Sequence, residues 1–385
     1  MIATDFAANE SFDDAWLSFK LLFQPWRWIN GDAVNECRKN LKSLILNRKS
    51  EITFFLTGRS ALFHLLKSLR LKTGTEVIVQ AFTCEAVVLP IMAHSLKPVY
   101  IDIEKETLSA DFDDLKKKYT AKVKVLILQH TFGQTPKNRQ KILEFAQKNG
   151  LFLIEDLAHG FSPDLKIDDL TNRAILLSSG RSKAFSSVFG GILLTDKKLT
   201  VDLSCPSYCF IFKTLLYKPL SVLIKATYDF YIGKIIHFFV KKLNLLIPEI
   251  TKNEKDGKYD PLLDKAYPNA LGILLLHQLK KFDQIQRQRA LISSFYAKAT
   301  NPPLLRFPIF VENRDNILKN AAKNNVFLGV WYNQVVAPHG LDLNRVGYTQ
   351  GSCPVAEDIC KKVINLPTNI TIKEASRVVE LVTKH

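Results

Sequence analysis

The sequence predicts an α/β protein: a mainly parallel sheet with helices on both faces, followed by a smaller C-terminal α+β unit. Two observations carry this. Short apolar runs alternate with helix-patterned stretches from about residue 51 onward, as expected of strands buried on both faces and joined by crossover helices. Residues able to do chemistry, among them His130, Asp156 and Ser178, fall at the ends of those runs, where open α/β sheets bind ligands.

Residues 1–50 hold aromatic clusters (Phe19, Phe23, Trp26, Trp28) and a helical run over 33–46, and read as an N-terminal arm packed on a larger body. The strand at 52–56 ends in Thr57-Gly58-Arg59-Ser60, after which Ala61, Leu62, Leu65, Leu66 and Leu69 form a helical stripe. A Gly-Arg-Ser turn opening a helix is a candidate anion site, because free N–H groups, the positive helix end and a guanidinium meet there. A plain helix N-cap is the alternative. Strands at 76–80, 98–103, 122–130, 151–156, 174–179 and 191–195 follow, with helices at 84–95, 113–119 and 137–149, the last closed by Gly150. The large domain is expected over 51–265. Over 266–385 a linking helix leads to the small domain, whose segments are 306–311, 317–325, 326–331, 354–363 and a last helix from 372.

The 385 residues are 47% hydrophobic and 23% charged, which is ordinary for a folded globular chain and argues against disorder. Six cysteines are dispersed without paired CxxC spacing, so neither a disulfide framework nor a metal site is implied, and Cys205 and Cys209 read as packing residues. The first ten residues lack the basic and then apolar run of a secretory signal, which points to the cytoplasm. The net charge of +16 permits an acidic partner such as a phosphorylated ligand or an anionic lipid. Nucleic acid is set aside, since no RNP-type strand, zinc finger or basic zipper region is present.

The stretch Leu176-Leu-Ser-Ser-Gly-Arg-Ser-Lys183 is an apolar strand that breaks into a Ser/Gly turn and presents one lysine, before Gly190-Gly191 leads into the next strand. Such a lysine is either a solvated surface charge or a Schiff-base former placed beside residues small enough to admit a phosphate. A pyridoxal phosphate enzyme needs an amine, a carboxylate that keeps the pyridine nitrogen protonated, donors for the phosphate and a flat group over the ring. Lys183 would supply the amine, Asp156 the carboxylate, and Gly58, Arg59, Ser60 and Ser178 the phosphate donors.

Gly58-Arg-Ser-Ala-Leu62, Gly74-Thr-Glu-Val-Ile-Val79 with Ala81-Phe-Thr83, His130-Thr-Phe-Gly133, Ile154-Glu-Asp-Leu-Ala-His159, Ser178 five residues before Lys183, Ser352-Cys-Pro-Val-Ala-Glu357 and Ile364-Asn-Leu-Pro367 occur in that order. Together they resemble the DegT/StrS-type sugar aminotransferases, fold type I (aspartate aminotransferase-like) pyridoxal phosphate enzymes, from about Gly58 to the C-terminus. The resemblance implies pyridoxal 5'-phosphate as cofactor and transfer of an amino group, usually from glutamate, to a keto-sugar in amino-sugar or surface polysaccharide synthesis. It implies Lys183 as the imine former and proton shuttle, Asp156 as the partner of the pyridine nitrogen and His159 as a support of the ring or of Asp156. A core histidine is the alternative for His159, and the part of His130 stays open. A dehydratase-like reaction is the neighbouring possibility, but loss of the imine lysine marks those relatives and Lys183 is present. A non-catalytic binding protein on the same fold is the reading from another class.

Departures from the family pattern leave questions. Cys84 stands where an aromatic residue usually covers the cofactor ring, so either Phe82 takes that face or the cysteine packs there, and Phe82 reads equally as plain core. Leu271 replaces the arginine of the family's Asn-x-Arg turn, while Asn269 is kept; in the family this asparagine reaches the cofactor phosphate of the partner subunit, which implies a homodimer with shared active sites. Between Gly191 and Asn269 the chain is longer than the family usual, and the added stretch at about 205–248 is apolar, aromatic and interrupted by lysines. Those lysines rule out a membrane span. Read as helices broken near Pro219 and Gly233, its middle piece puts Ser221, Lys225 and Asp229 on one stripe. Two readings remain: binding to an anionic membrane surface, which would make the protein peripheral at the inner face, or packing on the enzyme body or across a dimer.

Overall fold

The computed structural model describes residues 1–44, 50–161, 165, 167 and 169–383. A seven-stranded sheet forms the centre. Its strands are β1 (Glu51–Phe55), β2 (Glu76–Gln80), β3 (Lys97–Ile101), β4 (Val123–Gln129), β5 (Phe152–Asp156), β6 (Arg173–Ser178) and β7 (Gly191–Thr195), in the order β1-β7-β6-β5-β4-β2-β3. Every pairing is parallel except the two made by β7, which runs against β1 and β6. The mainly parallel α/β sheet expected from the sequence is therefore present.

The two-residue period of a strand divides the core. Phe55, Val77, Val79, Ile127, Ile154 and Leu193 pack into one buried cluster. Their neighbours go to the other face: Phe54, Ile175, Ile192 and Leu194 into a second cluster, and Ile78, Leu126 and Leu153 into a third. Both faces are dry, which is why these strands read as continuous apolar runs. The helix Asn269–Lys280 belongs to this body, because Ala270, Leu271, Leu274 and Leu275 enter the second cluster.

The C-terminal unit pairs Arg306–Phe310 antiparallel with Val363–Pro367. Helices Arg314–Lys323 and Ile372–Thr383 pack beside this pair around Ile317, Ala321, Ile364, Ala375 and Val378. The Val363–Pro367 strand is not anticipated by the hydrophobic pattern, since it follows the helix Pro354–Lys362 without an intervening turn.

Residues 1–50 do more than lean on this body. Ile2–Ala3 forms a parallel ladder with Val326–Phe327, the helix Phe12–Leu22 lies against the insert, and the helix Ala33–Leu44 packs on Asn269–Lys280. The last two positions of the helical run expected over 33–46 lie outside the described residues. The insert folds as three helices, Tyr208–Leu215, Tyr217–Thr227 and Ile232–Lys242. Its breaks fall at Leu216 and Tyr231 rather than at Pro219 and Gly233, since Pro219 sits in the first turn of its helix, where no N–H is needed. Cys205 and Cys209 are exposed, not packed. Among the described residues no helix is long and apolar enough to cross a membrane.

Candidate active site

The carboxyl ends of β1, β4, β5 and β6 and the start of β7 meet at one level of the sheet. Ser178 pairs with Gly191, Phe55 pairs with Gly191, and Gln129 pairs with Asp156. A cavity of about 480 Å³ opens there, within the ordinary range of small-molecule sites. Thr57, Gly58, Cys84, Asp156, Ser178 and Lys183 all line it.

Each side chain has a local reason for its place. Thr57 Oγ1 accepts the Ser60 amide at 3.2 Å and starts the helix Gly58–Ser68, which leaves the amides of Gly58 and Arg59 without an intrahelical acceptor. Gly191 has to be glycine for this turn to close on β7, because a Cβ there would stand 2.1 Å from the Thr57 carbonyl oxygen. Ser178 ends β6, and its hydroxyl lies 3.2 Å from the Gly190 carbonyl and 3.4 Å from the Gly180 amide. Lys183 follows in a tight loop whose amide donates to the Gly180 carbonyl at 3.3 Å.

Burial pushes the Lys183 amine below its ordinary value; Cys84 and Asp156 pull the other way, and Arg306 adds to the depression. Asp156 is 4% exposed, and burial raises its carboxyl although the Ala158 amide donates to Oδ1 at 2.9 Å and Lys183 is near. In both groups burial disfavours the charged form, the ammonium of Lys183 and the carboxylate of Asp156. His159 stacks on Phe132 with centroids 5.7 Å apart. Its Nδ1 accepts the Phe132 amide at 3.2 Å and its Nε2 meets Tyr332 Oη at 2.9 Å. Burial, then Lys183 and Arg306, hold its pKa well below the ordinary value. His130 lies beneath the cavity rather than in it, fully buried, with Nε2 3.3 Å from Glu155.

Three expected site residues stand elsewhere. Ser60 is fully buried and its hydroxyl donates to Asp264, so it turns away from the cavity. Phe82 is also fully buried, edge-on to Tyr332 and Phe132, and it is Cys84 that faces the cavity, with its thiol pushed up to about 12 by burial and Glu85. Asn269 lies away from this chain's own cavity. Its carbonyl oxygen accepts the Ala33 amide at 3.0 Å and its nitrogen donates to Arg27 at 2.7 Å, so it clasps its own N-terminal arm. Arg59 does line the cavity, but Glu254 pairs with its guanidinium and the Glu249 carbonyl accepts from Nη2 at 2.7 Å.

Other residues were not singled out by the sequence. The 1–10 segment reaches the site: the Asp5 carbonyl accepts Ser182 Oγ at 2.9 Å, Asn9 donates to the Lys183 carbonyl, and the Asp5 carboxylate pairs with buried Arg306. The Trp331 ring centre is 5.1 Å from Lys183 Nζ and 3.2 Å from the Arg306 guanidinium carbon. Glu85 opens the helix Glu85–Ala93, and burial, opposed by Arg59, pushes its carboxyl up to about 7. None of these sits in a motif with fixed spacing; the buried charge of Glu85 at a helix start was the one local signal available. A further cavity of about 400 Å³ shares Asp5, Arg181, Ser182 and Glu249 with the first and is walled by the insert through Tyr217 and Val240.

Comparison with known proteins gives both sugar aminotransferases and sugar 3-dehydratases among the relatives. A dTDP-4-amino-4,6-dideoxy-D-glucose transaminase of Escherichia coli is 22% identical over 380 residues, 92% of this chain and 90% of that one. A GDP-perosamine synthase of Escherichia coli O157:H7 is 27% identical over 200 residues, half of each chain, and one from Vibrio cholerae is 29% identical over 148 residues, 38% of this chain and 40% of that one. The chain thus spans half or less of the first curated relatives it matches. In fold it is similar to a DegT DnrJ EryC1 StrS aminotransferase from Brucella abortus, with a TM-score of 0.68 at 17% identity over 97% of this chain and 95% of that one. It is likewise similar to an E. coli GDP-4-keto-6-deoxy-D-mannose-3-dehydratase solved with bound hydrated PLP, with a TM-score of 0.69 at 17% identity over the whole of both chains. A family model matches residues 20–198 and 269–383, breaking off over the stretch that holds the insert, and by that match the chain belongs to the DegT/DnrJ/EryC1/StrS aminotransferase family.

Proposed function

We propose that the chain is a pyridoxal phosphate-dependent aminotransferase that moves an amino group from an amino acid such as glutamate to a keto-sugar, nucleotide- or lipid-linked, in amino-sugar or polysaccharide synthesis. The observation that carries this is the meeting of Lys183, its amine depressed by burial, with the buried Asp156 carboxyl at the carboxyl ends of the strands. The donor set suits the cofactor. Asp156 is a buried acid, which a protonated pyridine nitrogen would match, and the Gly58 and Arg59 amides with Ser178 Oγ surround the turn that Gly191 lets close. When bound, pyridoxal phosphate supplies a carbonyl that bonds to amines and a ring that accepts electrons from the carbon beside the nitrogen.

The chain's own residues then have separate tasks. Lys183 would hold the cofactor through its amine and, as a free base, would accept and return the proton of the substrate carbon. A depressed amine value favours both, since each needs the free base. Asp156 keeps the ring nitrogen charged. His159, neutral and bonded on both nitrogens, is a positioning residue that fixes the floor next to Asp156. Cys84 and Trp331 wall the cavity and exclude water. A homodimer in the cytoplasm remains part of this reading, with Asn269 held in place by Ala33 and Arg27 of its own chain.

Borohydride reduction of the cofactor-loaded protein followed by peptide mass analysis tests the assignment. Attachment at Lys183, and conversion of the bound cofactor to its amine form by L-glutamate in the wild type but not in Lys183→Ala, are the expected results. Loaded protein with no covalent attachment at Lys183 would overturn it.

A further inference from the structure

The insert is amphipathic the wrong way round for a helix pair packed on an enzyme. In the helix Tyr217–Thr227 the polar side faces inward: Lys218 makes a fully buried ion pair with Glu10 at 3.2 Å, Ser221 is buried, and Lys225 Nζ donates to the Ala7 carbonyl at 3.1 Å. The 1–10 segment absorbs the charges that a soluble helix would show to water. What the insert shows instead is apolar. Ile232, Ile235, Phe238, Phe239 and Leu243 of the last helix and its end are exposed, and Phe230 before it is 74% exposed.

The N-terminal helix Phe12–Leu22 lies beside the insert and exposes apolar residues of its own. It packs against the helices Tyr208–Leu215 and Tyr217–Thr227, and Trp28, just beyond it, touches Tyr208 and Phe212 at 5.7 and 6.4 Å. Phe12, Trp16, Phe19 and Phe23, three or four residues apart and so on one side of a helix, are all exposed, with Phe12 at 78% and nearby Trp26 at 71%. Two segments distant in sequence but packed together thus each expose a cluster of large apolar side chains, more than the singly scattered ones of ordinary surfaces.

Charge selects the occupant. Residues 205–248 contain six lysines and one acid, Asp229, which is engaged by the Met1 amino group and Asn325. The lysines not buried include Lys234, over Tyr231 at 4.5 Å, and Lys242, over Phe238 at 5.8 Å. Asp13, on the N-terminal helix, is matched by Lys281 and His277. The insert of a second copy would offer these lysines no acid that is not already engaged. An anionic bilayer would take the aromatic rings among its acyl chains and the lysines among its headgroups.

We propose that the helix Phe12–Leu22 and the insert together form a monotopic docking surface for an anionic lipid bilayer, lying on the membrane without crossing it. This assignment does not rest on the aminotransfer reading, since vesicle binding and cofactor attachment are measured separately.

The test is co-sedimentation of the full chain with vesicles of phosphatidylcholine alone and of phosphatidylcholine mixed equally with phosphatidylglycerol, with tryptophan emission followed in parallel. Binding to the anionic vesicles, weakened by salt and accompanied by a blue shift from Trp16 and Trp26, is expected. Lys234→Gln with Lys242→Gln lowers the partition constant by about tenfold or more, and Trp16→Ser with Phe238→Ser abolishes binding. None of these side chains lines the cavity, so both variants keep cofactor attachment at Lys183. Failure of the wild type to bind anionic vesicles at low salt overturns the proposal. So does a Trp16→Ser, Phe238→Ser variant that still binds them, or one that turns a wild-type dimer into a monomer in sedimentation velocity, which would make the face a contact between copies.

Discussion

His159 Nε2 lies 2.9 Å from Tyr332 Oη, a bond that joins the loop after β5 to the segment leading out of the C-terminal unit. Because Nδ1 accepts the Phe132 amide, the ring proton resides on Nε2 and is donated to the phenol. Tyr332→Phe leaves that buried N–H without an acceptor, and the expected loss is about 1–3 kcal/mol of stability. A double-mutant cycle with His159→Phe, read by urea denaturation, is expected to show a coupling of about 1 kcal/mol. Strict additivity of the two single losses would contradict the bond.

Arg306 tunes Lys183. Burial is the main cause of the depressed amine value, and the Arg306 guanidinium adds to it. Arg306→Gln removes that repulsion and frees the Asp5 carboxylate, which now pairs with Arg306; both changes stabilise the charged amine. Cofactor attachment consumes the free base, so its pH profile is expected to move to higher pH in Arg306→Gln and to stay near the wild type in Arg306→Lys. Rates of pyridoxal phosphate uptake by the cofactor-free protein across a pH series check this, and an unmoved Arg306→Gln profile would refute it.

Glu85 makes the cofactor-free protein less stable as the solution becomes more basic. Its carboxyl is pushed up to about 7 by burial, against Arg59, from a reference of 4.5. Between those values the folded state holds more protons than the unfolded one. Unfolding free energy therefore falls as pH rises through this window, by at most about 1.4 kcal/mol per pH unit for one group. Glu85→Gln cannot titrate, so it should lose this slope and gain on the wild type above the window. Melting temperatures of the two proteins across the window give the comparison, and parallel curves would rule the effect out.

What could be read from residue types was the sheet and its chemistry, and the reasons are local. A strand buried on both faces announces itself as an apolar run, and Asp156, Ser178 and Lys183 are tied to strand ends by chain connectivity alone. Contacts made by distant segments left no such mark. Asn269 carries a family motif yet spends its amide on Arg27 and Ala33, because the N-terminal arm returns to cover it. Phe82 looked like a ring cover, but it enters the core and Cys84, two residues on, faces the cavity. Ser221 and Lys225 share a stripe of the helix Tyr217–Thr227, while Asp229 falls in the turn beyond it; the sequence held no sign that Lys225 reaches inward to residues 1–10.

Gly191 is the position where a single methyl group should separate folding of the sheet from binding of the cofactor. It opens β7 opposite both Phe55 and Ser178, and a Cβ there would stand 2.1 Å from the Thr57 oxygen and 2.6 Å from the Gly58 nitrogen. These are backbone atoms, so no side-chain rotation relieves the clash. The Thr57 carbonyl also accepts the Ala61 amide in the first bond of the helix, and Thr57 Oγ1 accepts the Ser60 amide. Any retreat of the turn therefore carries the helix start with it and moves the Gly58 and Arg59 amides away from Ser178. Gly191→Ala is expected to cost about 1–3 kcal/mol in stability and to weaken pyridoxal phosphate binding by more than about tenfold, about 1.4 kcal/mol. Gly180→Ala is the control: its Cβ meets only Lys183 Cγ at 3.5 Å and Ser178 Oγ at 3.6 Å, ordinary contacts, so its stability should stay within about 0.5 kcal/mol of the wild type. Melting curves and cofactor titrations of both variants decide the matter, and a Gly191→Ala protein that binds the cofactor as tightly as the wild type would show that the turn does not form the phosphate site.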